Sequence, residues 1–208
     1  MFEPTYPRFK TVLLFGAPGA GKGTQGRILG SIPGFYHCSC GDVFRNMDIQ
    51  SDLGQAFMEY SSRGELVPDE LTVKMWARAI QARAFLGDFK PREDLLILDG
   101  IPRTLEQAAL MDKHIEVIRI IHLTCDNQEE MVRRLRRRAV KENRQDDADE
   151  SVIRNRWSVY ERETAPVLGF YDRDLVRSVD SLDSPAAVLH HVLDHVVPDQ
   201  DAHFRNRD

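Results

Sequence analysis

Residues 12–24 constrain the fold more than any other stretch. Val12-Leu13-Leu14-Phe15 is an apolar run of the kind that forms a buried strand. Gly16-Ala17-Pro18-Gly19-Ala20-Gly21-Lys22-Gly23-Thr24 follows at once, and Gln25-Gly26-Arg27-Ile28-Leu29 can open a helix. A glycine-rich turn between strand and helix points several backbone N–H groups into one concavity, where the helix adds the positive end of its dipole. Glycine permits the positive φ angles and close backbone approach that such a concavity needs. The pattern G-x-x-x-x-G-K in this context reads as a phosphate cradle. Gly19, Ala20, Gly21, Gly23 and Thr24 supply the backbone, and Lys22 reaches terminal phosphates as a mobile cation. A glycine-rich turn without a ligand would leave the lysine and so many glycines unexplained.

The residue after the lysine in this pattern is ordinarily Ser or Thr, whose hydroxyl meets Mg²⁺. Here it is Gly23, with Thr24 one place later. A magnesium ion would therefore rest on phosphates, waters and a carboxylate elsewhere in the chain, which Mg²⁺ tolerates.

A chain of 208 residues suits one α/β domain and buries a sizeable core, about 70% of its unfolded surface. A net charge of −5 argues against a sequence-independent grip on nucleic acid. Cys38, Cys40 and Cys125 form no metal-spaced quartet, so no zinc is expected. Their odd number, with no secretion signal, reads as a reducing, cytoplasmic setting. No apolar run approaches the ~20 residues of a membrane span, so no membrane partner is expected.

The remainder alternates strand and helix signals. Residues 1–9 read as an irregular arm with Pro4 and Pro7. Phe35 to Ser39 is β-prone, and Gly41-Asp42 can start a helix. Leu53, Phe57 and Tyr60 share one helical face, and a second helix runs from Asp69 to about Phe85. Leu95-Leu96-Ile97-Leu98 is an uninterrupted apolar run that suits a central parallel strand. It ends in Asp99, where α/β sheets keep their ligands, although an Asp-Gly pair also makes an ordinary turn. The next helix runs from Thr104 to about Lys113, and Arg103 and Gln107, four apart, are expected on one face of it. Val117 to Leu123 is a further strand. The basic run Met131 to Arg138 reads as a helix, either a solvated charged face or an RNA patch. Ala139 to Asp149 reads as a loop, Glu150 to Glu163 as a helix, Val176 to Val179 as the last strand and Pro185 to Val197 as the last helix. Residues 198–208, polar and opened by Pro198, are expected to be disordered. The alternation implies a doubly wound parallel five-stranded sheet with helices on both faces, a three-layer P-loop fold.

Five collinear blocks then carry a resemblance: GAPGAGKGTQ at 16–25, SCGDVFR at 39–45, GELVPDE at 64–70, DGIPRTLEQA at 99–108, and RLRRR, RQDD and RWSVY over 134–160. On these, over roughly residues 10–180, the chain resembles the adenylate kinases of the nucleoside monophosphate kinase family, in their short-lid form. The resemblance implies reversible phosphoryl transfer from ATP to AMP giving two ADP, with Mg²⁺ on the ATP and the chain a monomer. It implies one core domain over 1–208, an AMP-binding insert near 39–70 and a lid near 138–147. By motif, Lys22 and the backbone of Gly19 to Thr24 hold the ATP phosphates, with Arg134 and Arg138 also on the ATP side. Arg45 and Arg103 grip the AMP phosphate, and Gln107 reads the adenine edge. Cys40, Glu65, Leu66, Val67, Gly100, Arg144 and Arg156 complete the AMP site. Arg138, Arg144 and Arg156 join Lys22 and Arg103 as the catalytic set, with Asp146 and Asp147 as partners of the arginines. Asp99 is the magnesium-water carboxylate.

Departures leave alternatives open. The family's threonine at the base or ribose is Cys40 here, and its D-G-F-P-R is DGIPR, with Ile101. An extra residue between Asp147 and Arg156 leaves Arg154 as a rival, and Arg137 rivals Arg138. A small residue at the Cys40 position keeps a UMP/CMP kinase in view, although Gln107 matches the adenine reader where pyrimidine enzymes carry Asn. A non-catalytic P-loop adaptor would not need the second arginine set.

Overall fold

The computed structural model describes residues 8–46, 48, 50–142, 144 and 147–205, leaving aside the side chains of Asp52 and Leu53. The arm before Arg8, the side chain of Leu53, Asp146 and the last three residues lie outside it. In chain order the elements are β1 (Phe9–Gly16), α1 (Lys22–Leu29), β2 (Phe35–Ser39), α2 (Cys40–Arg45), α3 (Asp52–Ser62), α4 (Asp69–Leu86) and β3 (Leu95–Asp99). There follow α5 (Leu105–Met111), β4 (Ile115–Thr124), α6 (Gln128–Glu142), α7 (Glu150–Val159), β5 (Val176–Asp180) and α8 (Pro185–Arg205).

The five strands form one sheet in the order β2-β3-β1-β4-β5, and every pairing is parallel. The register sets Leu14 beside Asp99 on one side and Ile121 on the other. Side chains alternate across the sheet. Leu13, Phe15, Leu96 and Leu98 face one layer, where Trp76, Ile80 and Met111 of α4 and α5 cover them. Val12, Leu14, Leu95 and Ile97 face the other, under Leu29 of α1 and Val188, Val192 and Val196 of α8. The sheet is therefore buried on both faces, which is why its central strands read as unbroken apolar runs. Ser39 caps α2 by accepting from the Asp42 N–H, and Phe44 of α2 stacks on Phe57 of α3 at 5.1 Å.

The structure departs from the sequence reading in four places. Phe9 opens β1 rather than closing the arm. Helix α6 runs on to Glu142, because Ala139, Lys141 and Glu142 are helix formers that extend a basic run already helical. Helix α7 does not continue to Glu163: a wider π-helical turn takes Tyr160–Thr164 and a 3₁₀ segment takes Ala165–Phe170. Pro166 has no N–H to give to the preceding turn, so the α ladder cannot pass it. Lastly, α8 does not end at Val197.

Residues 198–205 are helical because side chains anchor them. Arg119 of β4 donates from Nε and Nη2 to the two carboxylate oxygens of Asp199, both at 2.7 Å. Gln200 Nε2 donates to the Pro33 carbonyl at 3.0 Å, and the Phe204 ring lies against Gly34. These contacts offset the hydrogen bond lost at Pro198. The Arg119 and Asp199 side chains are only 18% and 15% exposed, so removing one leaves a charge short of solvent. Asp199→Ala is expected to cost about 1.5–3 kcal/mol, the scale of a charge-assisted hydrogen bond, in urea unfolding. An unchanged midpoint would show that the end of α8 is not anchored this way.

Candidate active site

The phosphate loop is wedged between the end of β4 and the start of α6. Gly16 has φ 145°, and a Cβ there would lie 2.5 Å from the Leu123 carbonyl oxygen. Gly19 has φ 90°, and its Cβ would lie 2.9 Å from the Met131 carbonyl oxygen. No other residue fits either position. Gly21 precedes α1 in the left-handed region and turns the helix N-terminus, with its positive dipole end, toward the loop. Ala20, Gly23 and Thr24 complete this turn.

Lys22 is the first residue of α1. Its Nζ donates to the carbonyls of Gly16 at 2.6 Å and Ala17 at 3.1 Å. Burial of the ammonium lowers its pKa from 10.5 to about 8. Asp99 opposes that shift, while the cations of Arg103, Arg138 and Arg156 add to it. Asp99 ends β3 and is 8% exposed. A Cβ on Gly23 would stand 3.6 Å from Asp99 Oδ2, so the glycine leaves open the space where a hydroxyl would otherwise meet this carboxylate. Among the described residues no cluster of three acidic, histidine or cysteine groups could bind a metal unaided. One buried carboxylate facing the loop instead suits Mg²⁺, which keeps most of its ligands as water and phosphate oxygens.

Two clefts open beside this loop. One is lined by all ten residues that the resemblance places in an AMP site. Cys40 and Arg45 come from α2, and Glu65, Leu66 and Val67 from the segment after α3. Gly100 and Arg103 come from the β3–α5 connection, Gln107 from the first turn of α5, Arg144 from the connection after α6 and Arg156 from α7. The second cleft lies over Gly16, Pro18 and Lys22. The two share Gly64, Leu66, Gly100, Arg103 and Arg156, so two arginines stand in the common wall.

Asp147 organises the cations on the far side. Its carboxylate is fully buried and accepts from Arg138 Nε at 2.7 Å. It also pairs closely with Arg156 and lies 3.4 Å from Arg144 Nε. Burial, and then the neighbouring Arg144 cation, hold the Arg138 pKa below the ordinary guanidinium value despite that partner. Arg45 is paired with Asp42 and lies over Gly41, where a Cβ would meet its guanidinium at 2.9 Å. Arg103 Nε donates to the Gly100 carbonyl at 2.8 Å.

The geometry separates the rival arginines. Arg138 and Arg156 turn inward to Asp147, whereas Arg137 is exposed in an outer groove. Arg154 is exposed and pairs with Glu129 and Glu150. Arg134 lines neither cleft; it donates to the Ser181 carbonyl at 2.7 Å and to Glu130 at 3.0 Å, tying α6 to the β5–α8 turn. Arg103 and Gln107 do not share a helix face. Thr104 caps α5, so Arg103 precedes the helix, and the two residues meet because Gln107 Oε1 accepts the Arg103 N–H at 2.7 Å. Cys40 lines the cleft yet also belongs to the apolar cluster, and burial pushes its thiol up to about 12.

Sequence reading missed Tyr160 and Thr164, which line the second cleft, and Asp69, which binds Gln107. The π-helical turn that turns Tyr160 inward has no sequence signal beyond Pro166. Tyr160 also lies 3.3 Å from Nε2 of His122, whose pKa is lowered by burial and by Lys22.

A parallel sheet with a glycine-rich loop at the end of its central strand, and cations gathered over it, defines a P-loop nucleotide-binding protein. Comparison with known proteins narrows the class. A family model described as adenylate kinase matches residues 14–176. The chain is 40% identical over 178 residues to an adenylate kinase of Thermobifida fusca, covering 82% of this chain and 89% of the relative. It is 39% identical over 166 residues to that of Flavobacterium psychrophilum, covering 77% and 83%. It is 38% identical over 193 residues to that of Kocuria rhizophila, covering 89% and 96%. The chain belongs to the adenylate kinase family.

Lys22 yields a prediction with a definite sign. Its folded pKa lies below its unfolded value, so between pH about 8 and 10.5 the unfolded chain binds more protons and stability rises with pH. Lys22→Met should remove this rise in urea unfolding and reduce kcat by about 10²–10³-fold, as loss of one transition-state donor does. A stability profile identical to that of the parent chain would contradict the buried ammonium.

Proposed function

We propose that this chain catalyses the reversible transfer of a phosphoryl group from ATP to AMP, giving two ADP. The observation that carries this reading is the pair of clefts with Arg103 and Arg156 in their common wall. One cleft sits on the phosphate loop and the other lies beside Gln107. Two nucleotides entering from opposite ends would bring their phosphates together at the two arginines. A P-loop switch or adaptor has no use for the cleft beside Gln107.

In this reading Lys22 and the loop backbone hold the ATP phosphates, and Arg45 and Arg103 hold the AMP phosphate. Phosphoryl transfer needs in-line positioning and positive charge more than acid–base chemistry. Lys22, Arg103, Arg138, Arg144 and Arg156 supply that charge. Mg²⁺ bound with ATP would neutralise phosphate oxygens, and Asp99 would hold it through water. Gln107 meets the adenine edge with one donor and one acceptor, a pairing that uracil, with its donor at N3 and acceptor at O4, does not match. Residues 39–70 form the AMP-binding insert, and 138–147 with its flanking helices form a short lid whose closure would exclude water. The arginine-rich α6 then serves nucleotides rather than nucleic acid, and the chain works as a cytoplasmic monomer. No helix among the described residues is long and apolar enough to cross a membrane.

A coupled assay with ATP and AMP, UMP, CMP or GMP tests this. AMP should be the best acceptor. Gln107→Ala should raise its KM by a factor matching about 1–3 kcal/mol and leave the ATP KM in place. A preference for UMP would assign the chain to pyrimidine nucleotides instead.

A further inference from the structure

Gln107 is 1% exposed, and its amide is held from two sides. Its Oε1 accepts the backbone N–H of Arg103 at 2.7 Å, and its Nε2 donates to Asp69 Oδ1 at 2.7 Å. Neither contact survives turning the amide over. A backbone N–H can only donate, so it requires the amide oxygen; a carboxylate oxygen accepts, so it requires the NH₂ group. The orientation is therefore fixed by chemistry.

An amide has two N–H bonds and two oxygen lone pairs. With one of each committed inside the protein, one N–H and one lone pair remain for the cleft that Gln107 lines. Adenine presents an acceptor at N1 beside a donor at its 6-amino group. Hypoxanthine and guanine reverse this, with a donor at N1 and an acceptor at O6. The amide as held matches adenine, and only the amide turned over would match the other two.

We infer that Asp69 is a specificity-determining positioning residue: it locks the Gln107 amide in the orientation that accepts a 6-aminopurine and refuses a 6-oxopurine. This rests on the reading of Gln107 as the group that meets the base. Asp69 does not line the cleft. It stands in the first turn of α4 and acts through its bond to Gln107 Nε2. The competing role is structural: Gln107 lies in the first turn of α5 and Asp69 in that of α4, so the bridge could simply pin two helix starts together.

The ratio of kcat/KM for AMP to that for IMP separates these roles, since helix pinning would move stability and the AMP KM but not discrimination between two purines of one size. Asp69→Asn replaces a pure acceptor by a group that can accept or donate, leaving Arg103 N–H alone to hold the amide. Asp69→Ser, measured beside it, removes the carboxylate with a smaller side chain. The AMP:IMP ratio should fall about tenfold or more, the scale of one charge-assisted hydrogen bond. A ratio unchanged in either soluble variant, whatever happens to its melting temperature, overturns the lock. Gln107→Ala keeps the two readings distinct. If it leaves the ratio intact, Gln107 does not meet the base. If it lowers the ratio while the Asp69 variants do not, the glutamine reads the base without the carboxylate.

Discussion

Repulsion among like charges is the constraint around which this site is built. Lys22, Arg103, Arg138 and Arg156 lie within electrostatic reach of one another in a region of low solvent access. Such a cluster is unfavourable on its own, and burial first, with the neighbouring cations adding to it, lowers the pKa values of Lys22 and Arg138. Two buried carboxylates offset it. Asp99 faces the lysine from the end of β3, and Asp147 gathers three arginines from two helices and the connection between them. The cations are thus held together by carboxylates of the protein itself.

The backbone makes the same provision. The loop runs so close to Leu123 and Met131 that only glycine fits at 16 and 19, and the cleft wall is drawn in where Arg103 packs over Gly100 and Arg45 over Gly41. Small residues here admit guanidinium groups rather than flexibility.

Much of this was legible in the sequence because the signals are local. The strand–glycine–lysine pattern and the apolar run ending in Asp99 each report on neighbours in the chain, and the five strands were found. Resemblance, rather than periodicity, supplied the arginines. What stayed hidden depends on distant partners. The helical end of α8 rests on Arg119, Pro33 and Gly34, none of which is near Asp199 in sequence. Thr104 as a cap moves Arg103 off α5, a one-residue shift that spacing alone does not resolve. That Arg138 and Arg156, and not Arg137 or Arg154, turn toward the buried Asp147 is likewise set by the fold and not by spacing.

The strand order carries a consequence for how the chain is made. Strand β1 pairs only with β3 and β4, and β2 pairs only with β3. A ribosome that has released residues 1–90 has therefore produced two strands and the phosphate loop with no sheet to hold them. Pairing starts when Leu95–Asp99 emerges between β1 and β2, and the wedge behind Gly16 and Gly19 waits for Leu123 and Met131. The nucleotide-binding turn, although encoded before them, is completed only once Leu123 and Met131 have been made. Its apolar strand must be kept from other partners until then.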